Sequence, residues 1–144
     1  GQAWDDEMRE RIARHQRDRE VRVPGMLTVE EPLALAEVLQ RHSAPHTLVV
    51  VDCLTLWLTN LLMPAQGVPL DAEGPTQELC RAIKQARGPV VLVGNEIGLG
   101  VIPMGREVRA FVDALGGLNQ AVAAACARVT LMAAGLPLSL KEPG

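Results

Sequence analysis

Three short runs of aliphatic and β-branched residues constrain this chain more than any other feature. They are Thr47-Leu48-Val49-Val50-Val51, Pro89-Val90-Val91-Leu92-Val93 and Val129-Thr130-Leu131-Met132-Ala133. The first does not alternate between apolar and polar, so it reads as a strand covered on both faces; the second reads as another buried strand, and the last as a third strand. Helical stretches separate them. Residues 5–19 place Met8, Ile12 and His15 on one face, with acids in the first turn. Residues 33–42 follow Pro32, which suits a first helical turn. Residues 54–63 are largely apolar and stop at Pro64, and residues 76–86 form a further helix. Residues 106–126 carry the stripe Val108, Phe111, Val112, Leu115, Leu118 and Val122. Residues 65–75 and 98–105 read as loops rich in Gly and Pro, and residues 138–141 as a short edge strand.

Strands spaced by helices imply an α/β, three-layer domain built on a mostly parallel sheet with right-handed crossovers. The chain's 144 residues suit one core, so a single domain over residues 1–144 is expected. In such sheets the ligand site lies beyond the carboxyl ends of the strands. That rule selects Asp52 and the pair Asn95-Glu96, each standing where an apolar run stops.

Asp52 after four apolar residues has the form of a Walker B strand, whose acid holds Mg²⁺ through water beside a nucleotide. An acid capping the following helix is the competing reading. Asn95-Glu96 leads into Ile97-Gly98-Leu99-Gly100, where glycines allow close backbone approach to a ligand; a plain loop explains the same residues. The Gly-Lys-Ser/Thr of a Walker A loop does not occur, the two lysines being Lys84 and Lys141. His15 is either a helix-end cation or a catalytic group, and His42 and His46 read as surface residues. Asn119-Gln120 interrupt an apolar helix and read either as partners across an interface or as surface residues.

Charge and cysteine usage exclude several classes. A net charge of −3 gives no footprint for nucleic acid, although Arg9, Arg11, Arg14, Arg17, Arg19 and Arg22 crowd one segment among acids. Cys53, Cys80 and Cys126 are odd in number and set in apolar runs, which suits reduced thiols in a cytoplasmic protein rather than a disulfide framework or zinc site. No apolar run reaches the ~18 residues of a membrane span.

Taken in order, several segments resemble one family: the bifunctional adenosylcobinamide kinase/adenosylcobinamide-phosphate guanylyltransferases of cobalamin biosynthesis. They are Trp4-Asp5-Asp6-Glu7-Met8 through Arg11-Ile12-Ala13-Arg14-His15, Thr28-Val29-Glu30-Glu31-Pro32, Val51-Asp52-Cys53-Leu54-Thr55-Leu56-Trp57-Leu58-Thr59-Asn60 and Asn95-Glu96-Ile97-Gly98-Leu99-Gly100-Val101-Ile102-Pro103. Gly116-Gly117-Leu118-Asn119-Gln120 and Ala134-Gly135-Leu136-Pro137-Leu138 complete the set. The resemblance implies a RecA-like P-loop NTPase fold and two reactions. ATP or GTP phosphorylates adenosylcobinamide; GTP then guanylylates a histidine, and the GMP passes to the substrate phosphate to give adenosylcobinamide-GDP. It assigns the nucleophile to His15, and guanine-nucleotide contacts to Gln2, Ala3, Gln16, Arg17, Asp18, Arg19, Glu30 and Asp52, with Mg²⁺ near Asp52. A homotrimer is implied as well.

Two departures shape the expectation. The segment from Arg19 to Thr28 is longer than the family's usual spacing. The family's first strand, P-loop and first helix precede the point matching Gly1, so these residues read as a truncated domain that binds GTP poorly by itself. The alternative of another class is a P-loop-less, catalytically silent remnant acting as a binding or interaction module. A generic RecA-like ATPase fragment accounts for Asp52 but not for the His15 segment.

Overall fold

The computed structural model describes residues 6–98 and 105–144. Gln2 and Ala3 lie outside the described residues, as do residues 99–104 of the glycine loop. The chain divides into two compact units, Gly1–Pro32 and Leu33–Gly144.

In the first unit, α1 spans Asp6–Arg22, with Asp6 and Glu7 in its first turn and Arg19 and Arg22 in its last. This charge order complements the helix dipole. The helix runs three residues beyond the expected end. His15 therefore stands two turns inside it, and the helix-end role falls to Arg19 and Arg22. None of its residues is fully buried, and Met8, Ile12, Ala13, Gln16 and Arg19 are half-buried.

The second unit runs α2 (Leu35–His42), β1 (Val49–Asp52), α3 (Leu54–Leu62), α4 (Glu73–Lys84), β2 (Val90–Val93), α5 (Arg106–Ala125), β3 (Val129–Ala133) and β4 (Leu136–Lys141). β1 and β2 pair in parallel, with Val49 opposite Val90 and Asp52 opposite Val93. Leu39, Leu58, Leu61, Leu79 and Leu115 form the fully buried centre, and Val49, Val51, Val90 and Leu92 pack toward it. The apolar α3 is the core helix, with Trp57 anchored by its Nε1–H donating to the Leu33 carbonyl at 2.9 Å.

Three expectations require correction. Both faces of the strands were expected to be covered. Instead Val50, Val91 and Val93 are 40–49% exposed, and the parallel pair has one open face among the described residues. One mostly parallel sheet was expected, but the described strands form two separate pairs, β3 lying antiparallel to β4. The reason is the Ala134-Gly135 connection, whose residues both have positive φ (53° and 75°), as the tightest hairpin turns require. Finally, α4 begins within the expected loop. Gly74 and Pro75 occupy its first turn, where proline's missing N–H costs nothing.

Candidate functional site

In the first unit, the segment after α1 folds back against it. Gln16 Nε2 donates to Glu30 Oε1 at 2.8 Å. A groove of about 330 Å³ is lined by Gln16, Arg19, Glu20, Met26, Leu27 and Thr28. The Arg19 Nε is enclosed and has no hydrogen-bond partner among the described residues. A buried donor left unsatisfied carries a desolvation cost that a polar ligand would relieve.

His15 is exposed and does not line this groove, but helix geometry sets it one turn from Arg19 and next to Gln16, which do. Residues advance about 100° around a helix per position, so Arg11 and Arg19 stand one turn to either side of His15 on its face. Gln16 and Glu20 lie toward the groove, Asp18 lies on the opposite flank of His15, and Arg17 points to the far side. The helix thus gathers Gln16 and Arg19 with Glu30, and does not bring Arg17 to them.

In the second unit, Asp52 ends β1 and is exposed, and its peptide bond to Cys53 is cis. It makes no salt bridge among the described residues. Cys53 N-caps α3, its Sγ accepting the Leu56 amide at 3.4 Å, so the capping role open to Asp52 belongs to its neighbour. The parallel register brings the Asn95-Glu96 segment to the same end of the sheet. There the Asn95 amide donates to Thr55 Oγ1 at 3.0 Å, and Asn119 Nδ2 donates to the Asn95 carbonyl at 3.1 Å. Glu96 Oε1 accepts the Gly98 amide at 2.8 Å. Asn119 is therefore a contact within its own unit. Thr55 escaped the reading of the sequence, where only its place in the first turn after Asp52-Cys53 could have marked it.

No group of three or more His, Cys, Asp or Glu side chains among the described residues could enclose a metal ion. A lone exposed carboxylate at a strand end fits Mg²⁺, which keeps waters and takes nucleotide phosphates as its other ligands. The three cysteines are free thiols, each half-buried. No helix among the described residues is long and apolar enough to cross a membrane.

The second unit, with acidic and amide groups at the carboxyl end of its parallel strands, is of the mixed α/β class, in whose open sheets that edge is the usual place for a ligand. The particular family follows from comparison with known proteins. The family model for cobinamide kinase / cobinamide phosphate guanyltransferase (CobU) matches residues 1–140. The chain is 47% identical over 143 residues to the bifunctional adenosylcobalamin biosynthesis protein CobP of Pseudomonas aeruginosa, covering 99% of this chain and 80% of that protein. It is 33% identical over 151 residues to the bifunctional adenosylcobalamin biosynthesis protein CobU of Escherichia coli, covering 97% of this chain and 82% of that protein. The protein of the same name from Salmonella typhimurium is 31% identical over the same shares. The chain belongs to the cobinamide kinase/cobinamide phosphate guanyltransferase family.

Proposed function

We propose that the chain serves both transfers of its family, phosphorylating adenosylcobinamide and then guanylylating the phosphate, with His15 as the covalent nucleophile. The observation that carries the assignment is the arrangement on α1. An exposed imidazole is flanked one turn away on each side by an arginine, beside a groove holding an unsatisfied Arg19 donor.

The imidazole nitrogen attacks the α-phosphorus of GTP. A P–N bond forms as the P–O bond to pyrophosphate breaks, giving a phosphoramidate. A phosphate oxygen of the substrate then attacks the same phosphorus and releases the imidazole. Arg11 and Arg19 offset the charge on the transferring group. Gln16, held by Glu30, contributes to the guanine nucleotide site, and the family resemblance adds Gln2, Ala3 and Asp18 to it, while Arg17, on the far side of α1, stands outside the groove. Asp52 would hold Mg²⁺ through water, and the ion would neutralise nucleotide phosphates. The protein acts in the cytoplasm, where ATP and GTP are supplied, as a homotrimer.

The test is incubation of the protein with GTP labelled at the α-phosphate. An acid-labile, base-stable protein label is expected, and His15→Ala abolishes it. Label retained in that variant removes His15 as nucleophile.

A further inference from the structure

The strand β2 ends at Val93, so Asn95 has no ladder to satisfy its backbone groups. Its amide is taken by Thr55 Oγ1 from α3, and its carbonyl by Asn119 Nδ2 from α5. Asn95, Glu96, Ile97 and Gly98 are all exposed. An exposed turn could bond to water at little cost, yet two different helices hold this one from beneath. The held turn lies at the carboxyl end of the parallel pair, starting two residues beyond Val93, the register partner of Asp52. Within it, Glu96 Oε1 is fixed by the Gly98 amide. The other carboxylate oxygen has no hydrogen-bond partner among the described residues.

The geometry points to Thr55 and Asn119 as positioning residues for phosphorylation of the substrate hydroxyl, acting through the turn that presents Glu96. This rests on the transferase reading above. Neither side chain touches substrate; each fixes one backbone group of Asn95, and together they set where the Glu96 carboxylate stands. A hydroxyl attacking a phosphorus must lose its proton, and a carboxylate held at one oxygen is a suitable acceptor.

The experiment compares Thr55→Val, Thr55→Ser, Glu96→Gln and the Thr55→Val/Glu96→Gln pair. It measures Asn95 amide hydrogen exchange by NMR and the steady-state rates of cobinamide phosphorylation. Loss of one hydrogen bond should speed exchange at Asn95 about five- to tenfold in Thr55→Val, and Thr55→Ser should restore it. Thr55→Val should lower kcat by about tenfold and leave the nucleotide KM within about twofold, as expected when ground-state binding is retained. On the Glu96→Gln background it should cost nothing further, because both changes act through one carboxylate.

Three results overturn the proposal: unchanged exchange in Thr55→Val, unchanged kcat despite faster exchange, or an equal loss with and without Glu96. A wild-type protein that transfers neither phosphoryl nor GMP groups overturns the functional reading, and the positioning role with it. In that event the exchange measurement still reports on the Thr55 hydrogen bond independently.

Discussion

Gln16 and Glu30 are fourteen positions apart and meet side chain to side chain at 2.8 Å, joining α1 to the segment that folds back on it. Both belong to the proposed guanine nucleotide site. Glu30→Ala should weaken binding of a fluorescent GTP analogue about three- to tenfold, because Gln16 loses the partner that orients its amide. Glu30→Gln keeps an acceptor and should recover most of the loss. The bond is exposed, so unfolding free energy should change by less than about 1 kcal/mol. Unaltered affinity in Glu30→Ala would remove the pair from the nucleotide site.

Asp52→Asn tests the carboxylate at the end of β1. With a metal held through water, the Mg²⁺ concentration for half-maximal phosphorylation should rise roughly 10- to 100-fold. The fold should persist, since Asp52 is exposed and makes no salt bridge among the described residues. An unchanged Mg²⁺ titration would separate Asp52 from the ion.

Gly88→Ala should be strongly destabilising. An added Cβ would sit 1.8 Å from the Ala44 carbonyl oxygen and 3.0 Å from that of Thr47, and backbone cannot move aside as a side-chain tip can. The same junction is closed by the Arg87 amide donating to Ser43 Oγ at 2.7 Å, with Ser43 buried. A loss of about 2–3 kcal/mol is expected from urea unfolding, at the upper end of overpacking penalties.

Partial burial pushes the Cys80 and Cys126 thiols above their ordinary value of 9.0, against the opposing charges of Lys84 and Lys141. The folded state therefore keeps its protons where the unfolded chain begins to lose them. The resulting stability is fully present below about pH 9 and is lost as pH rises through the folded values. Urea midpoints measured at about pH 8 and about pH 10.5 should differ less in a Cys80→Ala/Cys126→Ala variant than in the parent. Iodoacetamide should also modify both thiols more slowly than a free cysteine at about pH 8.

The strands were legible because Val49-Val50-Val51 and Val90-Val91-Leu92-Val93 have few other uses, and the carboxyl-end rule placed Asp52 and Asn95 at one edge. Local punctuation misled at two points. Gly74-Pro75 looked like a loop and instead starts α4; Ala134-Gly135 lacked the Asn-Gly signature of a tight turn and concealed the β3–β4 hairpin. The contacts of Asn95 could not be read at all. Thr55 and Asn119 stand 40 and 24 positions away from it, and only the packing of α3 and α5 brings them to one residue. His15 gained its candidacy from the ordered resemblance, while its two flanking arginines required a helix long enough to pass beyond it.

The open face of the parallel pair has a consequence of another kind. Asp52 shares that face with Val50, opposite Val91 and Val93. Side chains alternate along a strand, so a slip of one position would turn every residue over. Val51 would move into water and the Asp52 carboxylate into the leucine core, at a cost of several kcal/mol for the unpaired charge. Four valine-rich residues could otherwise pair in more than one alignment. The single acid at the end of the strand penalises the wrong one, so Asp52 guards the assembly of the sheet at whose edge the chemistry is proposed.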